Sequence, residues 1–300
     1  MVKYERFEDF YVVDTTPFNL NGIISSFILI DDKITLIEPG PANEYKKLND
    51  ALHELNLRPD IIIATHVHLD HAGSTGFLLR DYPNSIAYIH PKGVKHIVDP
   101  SQLWDAAIKF SKLLTESYGK PIPSDPNRVI PADDGQEIIV GKHRIKFVHT
   151  PGHASHHMSI IVYPEKILFS GDSAGAIFTI SKKKIYVITS PAPFKPITYL
   201  ESIEKMKKYS PVYIAPTHYG IHEEAMKYLN LGIERANLWL NTVKESLREN
   251  KDIDQIYKDI YNKDEDFKYA VDANIQFLTN GFLMQSIDGI ILAIKNGDWV

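Results

Sequence analysis

The chain has 300 residues, 44% hydrophobic and 24% charged, with a net charge of −5 and a pI near 6.2. This describes a soluble globular chain long enough to bury a large core in one or two domains, and its mild acidity disfavours nucleic acid as a partner. The absence of cysteine excludes disulfides and thiolate ligands, so zinc or iron would have to be held by nitrogen and oxygen donors. The N-terminal segment carries no apolar stretch of signal-peptide length, and no later run reaches eighteen uninterrupted apolar residues. The expectation is a cytoplasmic protein without a membrane partner.

In chain order, β-branched and aromatic runs predict strands over 10–13, 23–30 and 34–37, with Asp31-Asp32 as a hairpin turn. Helical spacing follows over 44–55, then a strand over 61–64, apolar throughout and so buried on both faces. A helix is expected over 72–82 and a short strand over 86–90. The stretch 91–127 reads as an insertion with helices over 92–98 and 101–118, either a lid over the site or an inert connector. Strand signals return over 137–140, 144–149, 158–163, 167–170, 176–180 and 185–189, followed by a helix over 198–209 and a buried strand over 212–215. Beyond Gly220 the pattern is helical, over 223–248, 253–261, 266–278 and 281–295. Residues 1–220 therefore form one unit, with two sheets facing one another and helices outside, and 221–300 a helical extension. The extension is read as a cap contributing to the pocket, the alternative being an interaction module through which the chain forms a homodimer.

The chemistry concentrates in Thr65-His66-Val67-His68-Leu69-Asp70-His71, where three imidazoles and a carboxylate follow a buried strand directly. Residues i and i+2 of an extended chain point the same way, so His66 and His68 can grip one divalent ion, and Asp70 and His71 can reach a second. Four side chains cannot saturate two ions, so further ligands are expected from other strand ends. Each candidate follows an apolar run and sits beside glycine or proline: His153 in Thr150-Pro151-Gly152-His153, Asp172 in Ser170-Gly171-Asp172, and His218 in Pro216-Thr217-His218.

Taken together and in this order, these motifs resemble the metallo-β-lactamase superfamily, in its Asp-bridged branch that contains glyoxalase II and the metallo-lactonases. The resemblance spans about residues 20–220. It implies an α/β fold, the αββα four-layer sandwich, with the site at the sheet edge between the halves. By motif position it implies that His66, His68 and His153 hold one metal, that Asp70, His71 and His218 hold the other, and that Asp172 bridges them. His157 matches a histidine that the family places near the site without ligating. Glu38 in Ile37-Glu38-Pro39-Gly40 stands where the family usually has aspartate. His53, His90, His96, His143, His149, His156 and His222 are read as surface or structural.

The expected cofactor is a pair of divalent ions, zinc first, with iron or manganese as alternatives. Such a pair lowers the pKa of a bridging water and polarises a carbonyl, so no serine or cysteine nucleophile is needed. Asp70 is expected to orient the water or pass a proton to the leaving group, and Tyr219, next to a ligand, to donate to the oxyanion. The leading expectation is a hydrolase acting on a small-molecule ester, lactone or thioester. Aspartate at 172 excludes the thiolate-using lactamases. The single lysine in 281–300 argues against the glutathione thioester of glyoxalase II. A mono-iron persulfide dioxygenase, or a phosphodiesterase or nuclease, are the competing classes.

Overall fold

The structure, a computed structural model, describes residues 3–15, 20–180, 183–275 and 277–299. Met1 and Val2, at the start of the stretch read for a leader, and residue 276, inside the helix expected over 266–278, lie outside the described residues. The first half of the chain forms a seven-stranded sheet in sequence order: β1 (Tyr4–Phe7), β2 (Phe10–Asp14), β3 (Ser25–Leu29), β4 (Thr35–Ile37), β5 (Ile61–Ile63), β6 (Ile86–Ile89) and β7 (Val129–Pro131). Strands β1 to β4 pair antiparallel, and β4 to β7 pair parallel. Parallel neighbours need crossovers. Helix α1 (Tyr45–Glu54) supplies the first, α2 (Leu69–Ala72) and α3 (Thr75–Asp81) the second, and α4 (Val94–Val98), α5 (Ser101–Phe110) and α6 (Lys112–Tyr118) the third.

The second sheet has the order β14 (Tyr213–Ile214), β11 (Ile167–Phe169), β10 (Met158–Tyr163), β9 (His143–His149), β8 (Glu137–Val140), and β12 (Ala176–Ile180) pairs with β13 (Lys183–Val187) as a separate ribbon. Helix α7 (Pro196–Lys207) makes the crossover that lets β14 lie parallel to β11.

Side-chain alternation along the strands builds the layers. Ile61 and Ile63 point inward with Phe27 and Ile37 to meet Phe147, Ile160 and Phe169 of the second sheet. Ile62 points outward onto Leu48, Ala51 and Leu52 of α1. On the second sheet, Val148, Ile161 and Leu168 face outward onto Tyr199 and Ile203 of α7 and onto Trp239 and Leu240 of α8 (Ala225–Arg248). The result is the four-layer αββα sandwich. Phe169 lies fully buried between the sheets, its ring centroid 5.0 Å from that of Phe27, and truncating such a side chain to alanine typically costs ~3–5 kcal/mol.

Helices α8, α9 (Ile253–Lys263), α10 (Glu265–Asp272) and α11 (Met284–Lys295) share one continuous core with the outer face of the second sheet. Residues 221–275 and 277–299 therefore pack as an outer layer against the second sheet. By length and composition Phe277–Lys295 could cross a membrane; here Leu278, Leu283, Ile287, Ile290 and Ala293 are buried in that shared core.

Three expected elements differ, the first being the helix expected over 266–278: α10 ends at Asp272, and a π-helix, Phe277–Leu283, leads into α11. A strand precedes residue 10, because Tyr4–Phe7 pairs with Phe10–Asp14 across a tight turn. The helix expected over 101–118 is broken at Ser111, whose backbone is extended at φ −155° and ψ 96°. The break turns α6 so that the Asn43 amide donates to the carbonyls of Glu116 and Ser117, at 3.1 and 3.0 Å, which no residue further along the helix satisfies.

Candidate metal centre

All seven predicted ligands converge at one edge of the sandwich. Strand β5 ends at Ile63; the chain then bends at Thr65 and His66 and reaches His68, whose φ of −61° and ψ of 153° open the single turn of α2 that carries Asp70 and His71. His153 follows β9, Asp172 follows β11 and His218 follows β14. Gly171 makes the close approach of its segment workable. Its φ is +49°, and a Cβ there would stand 2.5 Å from Thr65 Oγ1 and 2.6 Å from His157 Nε2.

The donors fall into two sets. His68 Nδ1 lies 3.0 Å from His66 Nε2 and 3.1 Å from His153 Nε2. In the other set, His71 Nε2 and His218 Nε2 lie 3.6 and 3.7 Å from Asp70 Oδ2. Asp172 stands between the sets, with Oδ2 3.4 Å from His153 Nε2 and Oδ1 3.5 and 3.7 Å from His71 Nε2 and His218 Nε2. Tetrahedral coordination by nitrogen and oxygen at about 2.0–2.1 Å spaces its donors at about 3.3–3.4 Å, so both sets fit a divalent cation. The second set fits on independent grounds as well. His71 Nε2, His218 Nε2 and Asp172 Oδ1 are buried and have no hydrogen-bond partner, a costly arrangement that a shared cation relieves.

The far side of four of the five rings is held by its own partner. His153 Nδ1 donates to the Thr189 carbonyl at 3.0 Å, and His218 Nδ1 to the Ile23 carbonyl at 3.0 Å. His66 Nδ1 meets Thr65 Oγ1 at 3.0 Å, and His71 Nδ1 meets the Glu38 carboxylate. Such partners fix the tautomer and aim the opposite nitrogen at the metal. Glu38 does more, because its carboxylate also accepts from the Thr217 hydroxyl and, at 2.6 Å, from the Thr65 amide. It thereby ties two of the ligand-bearing segments, 65–71 and 217–218, together from a left-handed backbone at φ +61°. His157 is buried behind the ligands. Its Nε2 accepts from the Asp172 amide at 3.1 Å, and its Nδ1 lies 2.9 Å from both Thr150 Oγ1 and Ser173 Oγ.

Electrostatics favour a cation here. Burial pushes the imidazoles of His66 and His68 well below the ordinary histidine range, and neighbouring histidines push further, which leaves neutral donors. Burial works the same way on His71, but the carboxylates of Asp70, Asp172 and Glu38 overcome it and hold the group well above that range. Burial also opposes ionisation of Asp172, yet His71, His153 and His218 hold its carboxyl well below the usual range. A positive charge thus belongs in this cage, and a divalent ion supplies it.

Tyr219 is not brought into the site. It lies beside Gly22, and burial followed by the carboxylates of Asp14 and Glu5 raises its phenol. Its neighbour His218 points to the metals, and consecutive residues leaving a strand end diverge. The tyrosine at the centre is instead Tyr118, from the last turn of α6. It is buried, hydrogen-bonded to Asp70, and raised well above the phenol range by burial and then by Asp70 and Asp172, so it stays a proton donor. Its only sequence signal is apolar spacing with Leu114 ahead of a helix-ending glycine. Of the remaining histidines, His53 is exposed. His156 is half-buried, with its ring centroid 5.4 Å from that of His68, and burial followed by His153 pushes it down to about 3. His90, His143, His149 and His222 lie outside the donor sets and hold structural contacts.

A cavity of about 320 Å³ opens at the donor sets, lined by His68, Asp70, His153 and Asp172 and by α5, α6, residues 191–192, Phe282 and the start of α11. The metallo-β-lactamase superfamily model matches residues 21–218. With that match, this fold and this ligand cage, the chain belongs to the metallo-β-lactamase superfamily, whose members are largely metal-dependent hydrolases. Among its relatives is the metallo-β-lactamase fold-containing protein ST1585 of Sulfurisphaera tokodaii, 28% identical over 210 residues that cover 68% of this chain and 76% of the relative. The crystal structure of ST1585 superposes with a TM-score of 0.65 at 25% identity, covering 76% of this chain and 86% of that one. The β-lactamase-like protein 2 homolog of Caenorhabditis elegans is 24% identical over 81% of this chain and 73% of its own length. The atrochrysone carboxyl ACP thioesterase dmxR1 of a Cryptosporiopsis species is 31% identical over 112 residues, 37% of this chain and 25% of the relative.

Proposed function

We propose that the protein is a dinuclear metal-dependent hydrolase of carboxylic esters, lactones or thioesters, in the Asp-bridged branch of the superfamily, with zinc the first candidate metal. The observation that carries this reading is the pair of donor sets sharing Asp172, with three buried atoms at the second, His71 Nε2, His218 Nε2 and Asp172 Oδ1, that have no hydrogen-bond partner. His66, His68 and His153 would hold one ion; Asp70, His71 and His218 the other; Asp172 would bridge. When bound, the pair supplies Lewis acidity and makes hydroxide available near neutral pH. The protein's own groups do the rest. The Asp70 carboxylate, 3.6 Å from His71 Nε2 and hydrogen-bonded to Tyr118, is placed to take a proton from the attacking water and return it to the leaving oxygen or sulfur. The Tyr118 hydroxyl, kept protonated, donates toward the developing oxyanion. The apolar walls keep bulk water from the reacting centre, which strengthens both interactions.

The matched thioesterase and the absence of lysine or arginine among the described residues of the cavity lining favour a carboxyl substrate over a phosphodiester. The test is reconstitution of metal-free protein with Zn, Mn or Fe, followed by metal analysis and assay on ester, lactone, thioester and phosphodiester substrates. About two ions per chain and turnover of a carboxyl substrate are expected, and His68→Ala should lose both metal and turnover. One iron per chain with oxygen uptake on a persulfide, or full turnover in His68→Ala, would overturn the reading.

A further inference from the structure

The insertion 91–127 carries apolar side chains that the core covers only in part: Leu103, Ala107 and Leu114 pack against its edge and stay partly exposed. Helix α5 buries none of its residues, and Phe110 is 49% exposed. Helices of soluble proteins normally turn their apolar stripe toward a core. Here the stripe Leu103, Ala107, Phe110, continued by Leu114 on α6, lines the cavity that ends at the metals. Phe282 closes the opposite wall. Among the described lining residues the only charged groups other than histidine are Asp70 and Asp172, both of the metal cage; of the insertion's lysines, Lys112 pairs with Glu116 and Lys120 stands over the Trp104 ring. A cavity of about 320 Å³ lies at the lower end of the range of small-molecule sites.

We infer that this cavity binds an uncharged, unbranched aliphatic chain joined to the scissile carboxyl group, so that the substrate is a medium-chain ester or thioester. This rests on the hydrolase reading above and narrows it. Thr189, Gln285 and Ser286 accompany the ligands in the lining and Ser111, Thr115 and Tyr118 add polar atoms from the α5–α6 side, while the remaining wall is apolar and offers dispersion contacts and dehydration. A carboxyl head at the metals and an aliphatic tail along α5 and α6 satisfies both ends. An anionic or cationic tail would lose its water without gaining a partner.

Two measurements on the zinc-loaded protein test this. In the first, kcat/KM is followed across p-nitrophenyl acetate, butyrate, hexanoate, octanoate and decanoate, and across acetate esters of alcohols of the same lengths, the two series separating a chain on the acyl side from one on the alcohol side. Specificity should rise on the order of threefold to fourfold per added methylene in one series until the cavity is filled, since each buried methylene contributes about 0.8 kcal/mol. Ala107→Phe, which fills the cavity from α5, should move the optimum to shorter chains. In the second, the linear alkanoates are titrated calorimetrically, and affinity should climb with length independently of turnover. Hydrolysis that is flat in chain length would overturn the inference and leave the hydrolase reading standing. Chain-dependent alkanoate binding without turnover of any ester would support the cavity's role and overturn the hydrolase reading. Alkanoate affinity independent of length would overturn the inference whatever the turnover.

Discussion

At the scale of single residues, Glu38 and Tyr118 carry more than their places in the sequence suggest. Glu38 orients His71 and ties Thr65 and Thr217 to it. Glu38→Gln keeps the shape but weakens the acceptor toward His71, and loss of such a contact typically lowers metal affinity 10–100-fold. A chelator competition on the metal-loaded protein should show that loss at the Asp70, His71, His218 site, with the His66, His68, His153 site weakened less. The two tyrosines separate by the same kind of argument. Tyr118→Phe removes the hydroxyl beside Asp70 and should lower kcat by ten- to a hundredfold, the order of one positioned proton donor, with metal content unchanged. Tyr219→Phe removes a hydroxyl whose neighbours are Asp14 and Glu5, so kinetics with the same substrate should not move. A result with the two roles exchanged would return Tyr219 to the active site.

At the scale of elements, the tightest contact near the centre is between α11 and residues 188–192. A Cβ on Gly289 would stand 1.8 Å from the Ser190 carbonyl oxygen and 2.8 Å from Pro191 C. Ser286, on the same helix, donates to the Ile188 carbonyl at 3.2 Å and accepts from Ser190 Oγ at 3.0 Å. This segment also supplies the Thr189 carbonyl that orients His153, along with Pro191 and Ala192 of the cavity wall. Gly289→Ala should therefore act in two places. It should destabilise the fold by ~1–3 kcal/mol through overpacking, although alanine is the better helix former, and it should weaken metal binding at the His153 site. Thermal melts with and without metal measure the two effects, and a variant as stable as the parent would mean that α11 is free to shift. The sequence shows a glycine inside a helical pattern and no more, because the reason for it lies a hundred residues away. Legibility follows that division throughout. His66 to His71, His153, Asp172 and His218 could be read because each sits at a strand end marked by local punctuation. Tyr118 could not, since the break at Ser111 that turns α6 toward Asp70 depends on Asn43 capping it from another element. The shared core of 221–300 was likewise hidden, because amphipathic spacing tells that a helix buries a face and not what it buries it against.

At the scale of the whole molecule, buried histidines outside the metal cage couple folding to pH. His222 sits at the base of α8 with Nε2 donating to the Tyr219 carbonyl at 2.7 Å and Nδ1 accepting from Lys184 Nζ at 3.0 Å. Burial, and then the Lys184 ammonium, push its imidazole down to about 4, because a second ring proton would face that charge. His90, stacked on His149 with ring centroids 4.1 Å apart, is pushed down to about 4 by burial and then by His149. In the unfolded chain a histidine titrates near 6.5. The unfolded state therefore takes up protons below about pH 6.5 that the folded state refuses, and stability falls as pH drops from there to about 4. Each such group contributes up to about 1.4 kcal/mol per pH unit. Metal ligands titrate over the same window, so the measurement that isolates His222 is a difference. Urea unfolding of the parent and of His222→Gln, which keeps a donor for the Tyr219 carbonyl, is compared from pH 7 to pH 4 in metal-free buffer. The parent's stability relative to the variant should decline by as much as about 3 kcal/mol across that range, the share of one histidine held neutral over roughly two and a half pH units. A difference independent of pH would mean that His222 is already protonated in the fold, with Lys184 turned away from it.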